Sequence, residues 1–174
     1  MKQRTRFITR TALFAALMCV LCPLAFPVGP VPFTFGVFAV LFTATVLPWK
    51  QAACAVLMYI LIGAIGMPVF SGGQAGFGVL LGPTGGYLWS YVPMAILAGQ
   101  GRSRLPRSFI FCAAALLLCY ICGTWQFAVL SGRTWKEALS ACVLPFLPFD
   151  VLKLACACLS GRKLCVQLER AELL

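Results

Sequence analysis

The stretch SFIFCAAALLLCYICGTWQFAVL, Ser108–Leu130, runs without a single charged residue. A helix needs about 20 mostly apolar residues to cross the hydrocarbon core of a bilayer, and this stretch is long enough. Its apolar residues are continuous rather than alternating. Lipid offers no partner to free backbone groups, so a helix is expected here and a barrel strand is not. Working outward, five further apolar segments appear: Phe7–Phe26, Phe33–Leu47, Ala52–Gly66, Gly85–Gly99 and Glu137–Leu159. The sequence therefore predicts an all-α membrane protein, a six-transmembrane-helix bundle with structured extracellular loops. It reads as one integral membrane domain over 1–174. The second, third and fourth spans are short and borrow from their flanking loops.

Composition agrees with a lipid solvent. Hydrophobic residues make up 61% of the chain and charged residues 10%, where a soluble domain carries about 25% charged residues. One water-soluble core of this size could not hide so much apolar surface. The net charge of +10 raises the question of nucleic acid, but its distribution answers it. Lys2, Arg4, Arg6, Arg10, Lys50, Arg102, Arg104, Arg107, Arg162, Lys163 and Arg170 fall on one side of a six-span topology, with Arg133 and Lys136 on the other. That asymmetry predicts a multi-pass cell-membrane protein with both termini cytoplasmic. No basic patch interleaved with aromatics is present for single strands, so no nucleic-acid partner is expected. Met1–Phe26 lacks a clean cleavage site before Pro23 and Pro27 and reads as a retained span. Cys19/Cys22 and Cys119/Cys122 have CxxC spacing, yet they lie in apolar runs without histidine, which favours small buried hydrophobes over metal or redox chemistry. Without a phosphate-loop motif, an HExxH motif or a nucleophile–base set, no enzyme activity, cofactor or metal is expected.

The outside connections carry more information. Pro27–Pro32 has three prolines around Gly29. Met67–Thr84 contains Gly72, Gly73, Gly76, Gly78 and Gly82 with Pro68 and Pro83. That second loop is too apolar for an ordinary solvated loop and too rich in glycine for a stable helix. Backbone of this kind is tolerated at membrane depth when it is buried in protein or lines a cavity, which points to a lid or cavity wall. The alternative is an unstructured apolar loop. In the third connection, Thr134 precedes Glu137 with capping-box spacing, so the last helix is expected to start near Thr134. Pro145 and Pro148 then interrupt it, either as a kink or as a break whose free carbonyls serve a ligand.

Asp150 and Lys153 are the acid and base well inside a span. Each costs about 2.5–3.5 kcal/mol at a helix centre, and a spacing of three puts them on one helical face. Mutual neutralisation is one reading. A ligand site is another, because a carboxylate accepts from N–H donors and an ammonium donates to oxygen. A proton pathway lacks further acidic or histidine relay residues in the spans.

These segments together resemble the BioY family, the biotin-binding S components of energy-coupling-factor (ECF) vitamin transporters. The resemblance runs from about Thr11 to Lys153. It rests on Val31-Pro-Phe-Thr34, Gly66-Met-Pro-Val-Phe70, Gly82-Pro-Thr-Gly-Gly-Tyr-Leu88 and Pro145-Phe-Leu-Pro-Phe-Asp-Val-Leu-Lys153. It implies a vitamin held near the outer face, under the first and second outside loops. The implied substrate contacts are Asp150 and Lys153, with Tyr87, Phe33, Thr34, Gly72, Gly73 and Gln74 and the Gly72–Gly78 backbone nearby. Ala12 and Ala16 are similar to the small-residue surface on which S components dock to the membrane coupling protein, and two ATPases complete the implied assembly. An S component for another small vitamin, or a non-transport membrane scaffold, is the alternative. The chain departs from the family pattern in three places. Gly36 stands where many relatives have glutamine, Leu47-Pro-Trp-Lys50 replaces a glycine-rich turn, and Phe149 stands where glycine is common.

Overall fold

The structure, a computed structural model, describes residues 2–26 and 32–171. Most of the first outside connection, Pro27–Val31, lies outside the described residues. Eight helices occur among those described: α1 Lys2–Leu21, α2 Gly36–Val46, α3 Trp49–Ala64, α4 Phe77–Leu81, α5 Gly85–Gln100, α6 Leu105–Ser131, α7 Trp135–Cys142 and α8 Leu147–Arg170. Two short strands, β1 Ala25–Phe26 and β2 Phe33–Thr34, pair antiparallel with Ala25 opposite Thr34 and Phe26 opposite Phe33. The expected first span thus ends in a strand rather than a helix. The expected second span starts three residues late, because Phe33 and Thr34 spend their backbone on β1.

Local chemistry explains the main boundaries. Pro48 precedes α3 and cannot continue α2. Gly132, with φ +66°, closes α6 in the left-handed conformation that glycine adopts without a Cβ clash. Thr134 caps α7: its hydroxyl accepts from Glu137 N and its own N–H donates to the Glu137 carboxylate, the reciprocal pairing expected from the spacing. The expected sixth span, Glu137–Leu159, is not one helix. The chain breaks after α7 and turns by 56° into α8, since Pro145 has no N–H to continue the ladder, while Pro148 sits harmlessly in the first turn of α8.

Taken singly, only α6 among the described helices is long and apolar enough to cross a bilayer. The bent α7–α8 pair meets the same test over Trp135–Leu168, and α2 and α3 are shorter apolar helices. The helices pack with small residues at their closest approaches. A Cβ at Gly86 of α5 would lie 2.7 Å from the Cys122 carbonyl of α6, and one at Gly123 would overlap the Tyr87 ring. Between α2 and α8, Thr45 Oγ1 donates to Ala157 O at 3.2 Å, and a Cβ at Gly161 would overlap that threonine. Close backbone approach of this kind is how helices associate without water to drive them together. Met18, Leu41, Ala55, Tyr59 and Met94 fill the centre. The outside is apolar too: Leu117, Ile121 and Trp125 of α6 are each about 60% exposed, more apolar surface than a water-solvated monomer displays.

The Met67–Thr84 connection is partly helical, against expectation. A 3-10 turn at Ser71–Gly73 and the single α4 turn at Phe77–Leu81 punctuate it. Gly76 N donates to Gly63 O at 2.8 Å, and the Phe70 ring fills the space over Gly63 that a side chain there would need. At its far end Gln126 of α6 donates from Nε2 to Leu80 O at 3.1 Å and Gly82 O at 2.8 Å, while Trp89 Nε1 donates to Leu80 O at 3.0 Å. The loop is therefore a folded cover, pinned to the bundle by side chains that satisfy its carbonyls.

Candidate ligand-binding site

The cover, β2 and the first turns of α2, α5 and α8 surround a cavity of ≈ 200 Å³, with α6 and α7 closing its side. Its polar end is built from residues remote in sequence. Asp150 and Lys153 are only 4% and 8% exposed, and they form an ion pair with Lys153 Nζ 2.8 Å from Asp150 Oδ1. Tyr120 of α6 donates its hydroxyl to Asp150 Oδ2 at 2.7 Å. Lys153 Nζ also donates to the Thr34 carbonyl at 2.7 Å and stands 3.7 Å from the centroid of the Phe33 ring.

This arrangement answers the desolvation problem of two buried charges. The ammonium has an anion, a carbonyl and an aromatic face around it. Among the described residues each carboxylate oxygen has one donor, and an ionised carboxylate has about four acceptor positions. Two are thus left for N–H groups entering from the cavity. Replacing Tyr120 with phenylalanine should remove a hydrogen bond to a charged group and lower stability by about 1.5 kcal/mol. A denaturation midpoint in detergent that does not move would contradict that role.

Phe33, Thr34, Gln74, Tyr87, Asp150 and Lys153 all line the cavity. Gly72 and Gly73 do not. Both have positive φ, +67° and +76°, and are exposed. Their left-handed turn carries the backbone away, with Gly72 N donating to Pro23 O, and the wall is made instead by their neighbours Phe70, Ser71 and Gln74. Ala12 and Ala16 do not line the cavity and lie on the exposed face of α1.

Sequence reasoning missed Tyr120, Ser71, Tyr91 and Phe146, which also line the cavity. Tyr120 had a signal, being one of few hydrogen-bonding side chains in the most apolar span. Ser71 had none. Among the described residues its Oγ is buried without a hydrogen-bond partner, an uncommon state for a hydroxyl. Two of the departures also find their place. The Tyr91 hydroxyl occupies the position a side chain at Gly36 would need. Phe149 is half exposed and sets its ring edge-on to Phe33 at 5.3 Å, so it braces the cavity wall from behind.

A cavity with one charged, hydrogen-bonding end and apolar walls at Val37, Val79 and Leu88 suits a small ring compound with several polar atoms. The BioY family model matches residues 1–170. The chain belongs to the BioY family. It is 38% identical over 150 residues to the biotin transporter BioY2 of Lactococcus lactis subsp. cremoris, covering 84% of this chain and 82% of that one. It is 37% identical over 164 residues to the biotin transporter BioY of Thermotoga maritima, covering 91% and 95%. The probable biotin transporter BioY of Pyrococcus horikoshii is 34% identical over 161 residues, covering 92% and 97%. The same fold is seen in the 2.1 Å crystal structure of the S-component for biotin from an ECF-type ABC transporter. That match has a TM-score of 0.87 over 94% of this BioY chain and 92% of the other, at 23% identity.

Proposed function

We propose that this chain is the biotin-capturing S component of an ECF transporter. It binds biotin at the outer face and delivers it inward together with a membrane coupling protein and two ATPase subunits. The observation that carries the reading is the buried Asp150–Lys153 pair at the end of a cavity, with Tyr120 and Thr34 holding it in place. Biotin brings a ureido group with two N–H donors and one carbonyl, an apolar thioether ring and a carboxylate tail. The open acceptor positions of Asp150 suit the ureido donors, the Lys153 ammonium suits an oxygen acceptor, and the aromatic and aliphatic walls suit the ring.

In this reading the chain is a single membrane domain of six spans with both termini cytoplasmic, the last span being the bent α7–α8 pair. The eleven-to-two division of Lys and Arg supports that orientation. The short apolar helices α2 and α3 reach the bilayer surfaces through the connections that flank them. Ala12 and Ala16, exposed at a spacing of four on α1, are the docking stripe for the coupling protein.

Mass spectrometry of small molecules released from the purified chain should find biotin. Titration of the stripped protein should give nanomolar affinity, about −12 kcal/mol, with thiamine and riboflavin failing to compete. Release of a different vitamin, or no binding of biotin, would overturn the assignment. Ser71 supplies a sharper check, since its hydroxyl lines the cavity and has no hydrogen-bond partner among the described residues. Ser71→Ala should weaken biotin binding by about 1 kcal/mol, roughly fivefold, and leave the ligand-free protein as stable as before or more so. Loss of stability in the free protein would show that the hydroxyl is structural.

A further inference from the structure

At the other end of the bundle, about 20 Å along α5 from Tyr87 at 1.5 Å per residue, lies a second cavity of ≈ 650 Å³. The α5–α6 turn, the start of α3 and the middle of α8 line this open groove. Arg102, Arg107 and Arg162 converge on it from three different elements, with Trp49, Gln100 and Ser103 beside them. Arg102 Nε donates to Cys165 Sγ at 3.3 Å, Arg162 Nη1 reaches the Arg102 carbonyl at 3.5 Å, and the Arg107 guanidinium lies 5.4 Å from the Phe111 ring centroid. These contacts orient the guanidinium groups. Among the described residues, neither Arg107 nor Arg162 has a carboxylate within ion-pair distance. The first turn of α6 adds to the positive field, for its N-cap, Arg104, makes no side-chain cap.

Arg107 and Arg162, facing one groove, form a forked, multidentate receptor for a phosphate group. The rim says which phosphate. Trp49 is 43% exposed with the Lys50 ammonium 5.3 Å from its ring, the pairing of aromatic and cation found where a membrane meets water. Beyond the rim, α3 presents exposed Leu57 and Leu61 and α6 presents exposed Ile110 and Leu117. Both helices pack on α5. The apolar strips adjoin the rim, so a phosphate carried on acyl chains reaches the arginines along a surface that is already apolar.

We propose that this cavity holds the phosphodiester headgroup of an anionic phospholipid, whose acyl chains lie along the exposed faces of α3 and α6. Basic pockets between helices at a membrane surface are suited to such headgroups. The proposal stands independently of what the first cavity binds.

Native mass spectrometry of the delipidated full chain tests it, with phosphatidylglycerol, phosphatidylcholine and inorganic phosphate as probes. Phosphatidylglycerol should be retained in preference to phosphatidylcholine, and the R107Q/R162Q variant should lower that retention about 30-fold. The R133Q/K136Q variant removes the same charge at the other end and should change nothing. Should R107Q/R162Q fail to give a helical, monodisperse protein, R107Q alone serves, with a loss of about fivefold. Equal retention of the two lipids, an equal loss in R133Q/K136Q, or full displacement of phosphatidylglycerol by inorganic phosphate would overturn the proposal. So would unchanged lipid retention in R107Q/R162Q with loss of coupling-protein association, which would mark the surface as a protein interface.

Discussion

Lys153→Met should destabilise the chain by about 3–5 kcal/mol, because it leaves the Asp150 carboxylate buried against only the Tyr120 hydroxyl. The same change removes the donor to the Thr34 carbonyl, so β2 loses its tie to α8. Thermal unfolding in detergent, followed by circular dichroism, reads the loss. Asp150→Asn/Lys153→Met should regain most of that stability, since removing both charges of a buried pair is far milder than removing one. If the double variant is no more stable than Lys153→Met, the two charges are not coupled as their geometry requires. Affinity should behave differently. Asp150→Asn loses the charged acceptor and should weaken biotin binding by about 1.5–3 kcal/mol, roughly 10- to 150-fold. The double variant should not recover it. Unchanged affinity in Asp150→Asn would remove the carboxylate from the proposed contacts.

Gly36→Gln should destabilise this chain by about 3 kcal/mol, at the upper end of overpacking costs, although many BioY proteins have glutamine there. The reason is local. A Cβ at Gly36 would run into the Tyr91 hydroxyl, and the Thr34 hydroxyl lies only 3.2 Å away on the other side. Tyr91 is buried, and moving its ring would fill part of the cavity it lines. Gly36→Gln/Tyr91→Phe should relieve the collision at the Cβ and return at least half of the lost stability, measured by the same unfolding assay. Additive losses in the double variant would show that Gly36 and Tyr91 do not compensate one another. In this chain the hydroxyl delivered from α5 then occupies the space that a side chain at Gly36 of α2 would need.

Much of the site was legible because a charge inside an apolar run is too costly to sit there without a partner or a ligand. Asp150 and Lys153 announced themselves by that expense, and their spacing of three gave the ion pair that is found. The cover was legible from glycine content, but its detail was not. Gly72 and Gly73 are abundant where Ser71 and Gln74 form the wall, because the same positive φ that selects glycine also turns its backbone outward. Thr34 contributes its carbonyl to Lys153, a service any residue can perform, so side-chain identity could not reveal it. Tyr120 meets Asp150 across thirty positions of sequence, a distance no periodicity spans. The helices were found with their ends displaced. Phe33 and Thr34 look like helix in composition and are claimed by β1. The last span reads as one apolar segment, while Pro145 divides it.

The two hydrogen bonds from Gln126 to the cover have a kinetic meaning. They hold the carbonyls of Leu80 and Gly82 at the edge nearest α6, whereas the opposite edge turns on Gly66 and Gly76, both at positive φ. Lifting the cover from the α6 side would part both bonds together with the bond from Trp89 to Leu80 O. A molecule leaving that way would meet a barrier raised by Gln126, a residue outside the cavity lining.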